Sequence, residues 1–147
     1  CTLEMMTMQI DNKLYDQLLR QAADNPRLRQ NYDLRNSVED QSQRMLNAVL
    51  PGTVVPIHRH QETSETVFIL KGRVDEVLYD DQGNETERCP LKADSEVKGC
   101  VVPKGIWHTI EVYEPSVIFE AKDGAFKPLA SEDIMALKAK LSEEANG

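Results

Sequence analysis

The stretch Pro51-Gly52-Thr53-Val54-Val55-Pro56-Ile57-His58-Arg59-His60-Gln61-Glu62-Thr63-Ser64-Glu65-Thr66-Val67-Phe68-Ile69-Leu70-Lys71-Gly72 decides how this chain is read. His58 and His60 stand two apart in an apolar, β-branched run. Alternate residues of a strand project from one face, so both imidazoles look the same way and Arg59 looks the other. Glu65 follows a polar break, Gln61 to Ser64, and opens a second apolar run in which Val67 and Ile69 share its face. Pro51-Gly52 and Lys71-Gly72 punctuate the two ends. Downstream, Pro103-Lys104-Gly105 precedes His108, and these three histidines are all that the 147 residues contain. Three imidazoles and one carboxylate make a ligand set for a divalent transition metal, so His58, His60, Glu65 and His108 are the expected metal ligands.

Written as a frame, the stretch is Gly52-x5-His58-x-His60-x4-Glu65-x6-Gly72. This frame resembles the first signature motif of the cupin superfamily and matches it at every fixed position. Pro103-x-Gly105-x-x-His108 is similar to the centre of the second motif. Two positions of that motif depart from the pattern. Val97 stands where a glycine is expected, with Gly99 two residues late, and Val112 replaces an asparagine. Neither position is a ligand in the family pattern. More narrowly, the chain resembles the small WbuC-type cupins found with bacterial polysaccharide genes, through Asn25-Pro26-Arg27-Leu28-Arg29, Gln43-Arg44-Met45-Leu46 and Glu120-Ala121-Lys122-Asp123-Gly124. The resemblance implies an antiparallel jelly-roll barrel, one divalent metal ion (zinc, iron, manganese or nickel), a small-molecule ligand and a homodimer.

The residues themselves point to an all-β domain with flanking helices. Asp11 is placed to cap a helix carrying Leu14, Leu18, Leu19 and Ala22, which Asn25-Pro26 stops. A polar arm is expected from Arg27 to Asp40, anchored by Tyr32 and Leu34. Short apolar runs then follow at Met45–Leu50, Val54–His60, Glu65–Leu70, Val74–Tyr79, Glu85–Cys89, Val97–Val102, His108–Val112 and Val117–Ala121. Asp80-Asp81-Gln82-Gly83-Asn84 reads as a hairpin turn. Many short strands at this spacing form a sandwich or a small barrel. Ser131 is expected to begin a final helix with Ile134, Leu137 and Leu141 on its buried side, and Lys138 and Lys140 in its later turns. The expected organisation is residues 1–42 as helix and arm, 43–127 as barrel and 128–147 as C-terminal helix.

Charge and composition narrow the partners. The net charge is −8, which disfavours nucleic acid and anionic membranes. Apolar residues make up 40% of the chain, and no run approaches the roughly 20 that a spanning helix needs. Cys1, Cys89 and Cys100 form neither a disulfide ladder nor a C-x-x-C knuckle, which suits a reducing cytoplasm. A chain opening on Cys1 also fits a processed or lipidated N-terminus, or a natural start at Met5, Met6 or Met8.

On this frame the lumen is expected to be a dry apolar cup with the ligands at one level and Trp107 packed on the opposite side. Polar candidates beside the metal are Tyr32, Gln43, Arg44, Asn47, Glu120 and Lys122. No residue is assigned as general acid, base or nucleophile. Two readings of function stay open. One is a metal-dependent isomerase, lyase or dioxygenase acting on a small polar metabolite such as a sugar or keto acid. The other is a non-catalytic metal- or ligand-binding cupin, an accessory or sensor protein in surface polysaccharide metabolism. Polar groups in the lumen besides the ligands favour the enzyme, and an apolar lumen with a closed tetrahedral metal favours the binder.

Overall fold

The computed structural model describes residues 7–136, 143 and 144. The N-terminal helix α1, Asn12–Asp24, begins where Asp11 accepts a hydrogen bond from the Leu14 backbone N–H at 3.0 Å. It ends where the Asn25 N–H bonds the Ala22 carbonyl ahead of Pro26. Eight strands follow: β1 Arg29–Asp33, β2 Ser42–Val49, β3 Glu65–Lys71, β4 Arg73–Tyr79, β5 Glu85–Lys92, β6 Gly99–Val102, β7 Trp107–Val112 and β8 Ser116–Asp123. They form an antiparallel five-stranded sheet, β1-β2-β8-β3-β6, and an antiparallel three-stranded sheet, β5-β4-β7. The two sheets face each other as a jelly roll without closing into a continuous barrel.

Strand parity separates two cores. Leu46, Ala48 and Val117 point out of the five-stranded sheet and are covered by Leu18 and Ala22 of α1, with Tyr32, Leu34 and Leu70 packed around them. Val49, Val67, Ile69, Ile118, Val74, Leu91 and Ile110 point between the sheets and form the inner floor. Burying each such side chain stabilises the fold by about 1.5–3 kcal/mol. No helix among the described residues is long and apolar enough to cross a membrane.

The structure corrects the expected elements at three places. The Val54–His60 run is extended but is not a regular strand. Pro56 has no N–H to donate, and the segment forms isolated bridges, His58 to His108 and to Ile134, with single backbone bonds at Ile57, Arg59 and His60 in place of a full ladder. The expected polar arm contains a strand, β1, whose side-chain pattern is weak because it sits at a sheet edge and is held by its backbone register with β2. At the C-terminus, Ser131–Asp133 form one 3-10 turn, and Ile134 bridges His58 instead of lying on a helix. Asp133 is drawn there by Arg59 and Gln61, at 2.9 and 2.6 Å. Met135 and Ala136 are helical, while Leu137, Lys138, Lys140 and Leu141 lie outside the described residues. The remaining runs each appear as a strand within three residues of the expected ends.

Gly72 makes the β3–β4 turn at φ +86°, and a Cβ there would run into Ser116 Oγ and the Pro115 carbonyl. Gly105 has a similar φ of +80° but open space around it. Replacing Gly72 with Ala is expected to cost about 2–4 kcal/mol, and Gly105→Ala only about 1–2 kcal/mol of left-handed strain. Urea unfolding of the two variants checks this order.

Candidate metal centre

Backbone pairing brings the candidate residues together. The His58 N–H bonds the His108 carbonyl at 3.0 Å, and the His108 N–H bonds the His58 carbonyl at 2.8 Å. The Gly105 N–H bonds the His60 carbonyl at 2.7 Å, which continues the pairing past the second histidine. Arg59 points away from the histidines. Its Nε bonds Asp133 at 2.9 Å and its guanidinium lies 4.4 Å from the Trp107 ring centroid. Trp107 is 1% exposed and donates its Nε1–H to Asp81, on the side opposite His108 as parity required.

Glu65 enters from the facing sheet. Its Oε2 lies 3.3 Å from His108 Nε2 and 3.4 Å from His60 Nε2. One donor atom from each of His58, His60, Glu65 and His108 falls within 4.8 Å of all the others. The imidazoles are turned for metal binding. His58 Nδ1 is 2.8 Å from the Pro56 carbonyl and His108 Nδ1 is 2.9 Å from the Ile106 carbonyl. A carbonyl only accepts, so each Nδ1 carries the proton and each Nε2 keeps its lone pair. The His60 Nε2 is buried and has no well-formed hydrogen bond. Donors around one ion lie about 3–4 Å apart, so this set fits a divalent cation.

Electrostatics favour the metal-binding protonation states. Burial, with the neighbouring charge of His108, lowers the His58 pKa to about 4, so the ring stays neutral above that pH. Burial alone would raise Glu65. The close approach of the His108 and His60 rings, with the charge of Lys122, outweighs it and holds the carboxyl well below its usual range.

The cavity at this centre has a volume of about 1060 Å³. Its walls can be read in layers, spaced by about 6.6 Å along the strands. The outer layer holds Gln43, Lys122 and Glu65 across the large sheet, with His108 opposite. The next layer holds Met45, Glu120 and Val67, with Ile110 and Glu76 opposite. Asn47 and the apolar floor lie deeper. The lumen is therefore not the dry apolar cup that the sequence suggested. Glu76 is 1% exposed, and burial together with the charges of Glu65 and Glu120 raises its pKa well above the usual range. Burial and the charge of Glu65 raise the Glu120 pKa to about 8. Both carboxyls are thus pushed towards their neutral forms, Glu120 retaining its proton at pH 7.

Of the polar residues singled out by sequence, Gln43, Asn47, Glu120 and Lys122 line the cavity. Tyr32 packs on the α1 side and Arg44 bonds the Leu34 carbonyl, so neither takes part. Glu76 was missed. Its signal was an acidic residue at the inward parity of an otherwise apolar run, Val74, Glu76, Leu78.

A family model described as "Domain of unknown function (DUF6016)" matches residues 10–91. The chain belongs to this family. No curated protein matches it. Solved structures are similar in fold. The capsular polysaccharide assembling protein CapF from Staphylococcus aureus is 19% identical over 71% of this chain and 30% of CapF, with a TM-score of 0.60. KdgF from Halomonas sp. is 16% identical over 68% of this chain and 82% of KdgF, with a TM-score of 0.54. An oxalate decarboxylase from Bacillus subtilis is 16% identical over 67% of this chain and 26% of that one, with a TM-score of 0.52. This chain thus spans less than a third of CapF. These neighbours have the cupin fold, which is the fold of this family member too.

The depressed His58 pKa fixes a pH dependence. In the unfolded chain the imidazole takes a proton near pH 6.5, while in the folded chain it resists until about 4. The unfolded state binds more protons in that window, so the contribution of His58 to stability is full above 6.5 and is lost as pH drops towards 4. Urea midpoints of chelator-treated protein between pH 7 and 4 should fall less steeply for His58→Gln than for the natural chain.

Proposed function

We propose that His58, His60, Glu65 and His108 hold one divalent transition-metal ion, and that the protein is a metal-dependent enzyme acting on a small polar metabolite. The carrying observation is the polar lumen. Glu76, Glu120, Asn47 and Lys122 line the same cavity as the four donors, beyond what holding an ion requires. A bound divalent ion would act as a Lewis acid on a carbonyl or hydroxyl oxygen of the metabolite. The chain's own groups do the rest. Glu120 faces Glu65, whose charge helps to raise the Glu120 pKa to about 8 and so to leave the negative charge on Glu65. Lys122 adds positive charge beside Glu65. The Arg59–Asp133 pair and the Trp107 ring hold the His58–His60 segment from behind.

An accessory role in surface polysaccharide metabolism is the second reading. The fold likeness to CapF and the narrower sequence resemblance to WbuC-type cupins favour it. A homodimer is also proposed. Phe68 and Val101, 46% and 61% exposed, lie on neighbouring outer strands of the large sheet beside its free edge β6, where a second copy would cover them.

Metal content of protein purified from its native host should approach one divalent ion per chain. His60→Ala should lose most of it and lower the Tm of the loaded protein towards that of the chelated form. Full metal retention in His60→Ala would remove the assignment. Sedimentation at micromolar concentration should give a mass near twice the 16.6 kDa of one chain.

A further inference from the structure

Apart from His60 Nε2 in the donor set, two described side chains lining the cavity each bury an oxygen that has no protein partner. Asn47, on β2, is 8% exposed, and its Oδ1 makes no hydrogen bond. Glu76, on β4 of the facing sheet, is 1% exposed, and its Oε2 makes none either. Both line the cavity that contains the four donors, on its inner side. Buried polar atoms are almost always paired, because leaving one unpaired is uncompensated desolvation. Two such atoms on opposite walls of one cavity mark a place built for something that enters it.

We propose that Asn47 and Glu76 form a hydrogen-bonding shelf for the hydroxyl groups of a small polyhydroxylated ligand whose chelating end lies at the four donors. This rests on the reading that a metal ion there anchors the ligand. Hydroxyl is the group that fits. It donates to an amide or carboxyl oxygen and accepts from an amide N–H or a protonated carboxyl, so it satisfies Asn47 in either orientation. Glu76 Oε2, unpaired in the wall, can accept from a hydroxyl, and in its neutral form the carboxyl can also donate to one. An anionic group at this depth would lie in the field of the ionised Glu65. Met45, Val55 and Ile110 supply apolar wall for the C–H faces of a carbon chain. Glu76 and His108 are diagonal neighbours on paired strands, about 7–8 Å apart, which a four-carbon chain with its terminal oxygens spans.

The test uses cobalt(II)-loaded full-length protein and two kinds of four-carbon acid. Erythronate, with its diastereomer threonate, and 2-hydroxybutyrate share the α-hydroxy-carboxylate head, and only the former carry hydroxyls further along the chain. Shifts in the cobalt absorption spectrum give the affinities. At least one of the tetronates should bind roughly tenfold tighter than 2-hydroxybutyrate, as two added hydrogen bonds would give. Glu76→Met and Asn47→Leu should each cut that preference several-fold while leaving 2-hydroxybutyrate binding unchanged. Glu76→Met should also raise the Tm, because it removes an unpartnered buried carboxyl. A structural Glu76 would instead lower the Tm and leave the preference intact. Equal binding of both acids, with no change in Asn47→Leu, would overturn the shelf and leave the metal anchor standing. Binding of neither acid to the cobalt-loaded protein would overturn the anchored reading and the shelf with it.

Discussion

The reciprocal backbone pairing of His58 and His108 is the contact on which the site depends. Fifty residues of chain separate the two histidines, and neither neighbouring run could place them together by local preference. Two hydrogen bonds, of 3.0 and 2.8 Å, bring the irregular segment onto β7 and fix which faces meet. A slip of one residue would turn His108 outward and Trp107 inward, since parity alternates along a strand. The Trp107 indole is 1% exposed, bonded to Asp81 and stacked beneath Arg59, so that slip is strongly opposed. The outer face of the segment thus secures the geometry of its inner face.

The cavity combines two environments that oppose each other. Its floor is an apolar cluster that excludes water and lowers the local dielectric. Immediately above stand Glu76 and Glu120, one from each sheet, near the ionised Glu65. In such surroundings three carboxylates cannot all be charged. The charge settles on Glu65, which has histidine partners, and the other two are pushed towards their neutral forms. Groups arranged at a cost in stability, in a cavity beside a donor set, are characteristic of a functional site. The same site also divides the pH response. His58 favours the folded state more as pH rises to about 6.5, whereas Glu120 favours it less as pH rises from about 4.5 towards 8.

The five-stranded sheet carries the larger structural load. Its inward face lines the cavity and its outward face is closed by α1 through Leu18 and Ala22. Near the β6 edge the helix does not reach, and Phe68 and Val101 remain exposed there. On the outer face of the small sheet, Arg88 joins Asp75, Glu111 and Glu85 at 2.6–2.9 Å. That network takes the acidic partner of Glu76 in the sequence pair Asp75-Glu76 and gives it a structural role, leaving only Glu76 for the cavity.

Much of this was legible in the residues alone. The spacing of His58, His60 and Glu65 about two glycines singled out side chains that the structure gathers into one cluster with His108, because a strand presents side chains only at fixed parity. Parity also set Val67 and Ile69 inward and Trp107 outward, and the helix α1 followed from its cap and stripe. Other features were decided by tertiary structure. β1 has little periodicity of its own and exists because β2 offers it an edge. The 54–60 segment looks like a strand but lacks a full ladder, because Pro56 cannot donate and the backbone bonds it does make are scattered from Ile57 to His60 over two neighbours. Ile134 left its expected helix because Asp133 had a better partner in Arg59. The inward direction of Glu76 follows from register, and register depends on pairing between strands far apart in the chain. The charge of a buried carboxyl depends on every wall around it, which no single stretch of sequence contains.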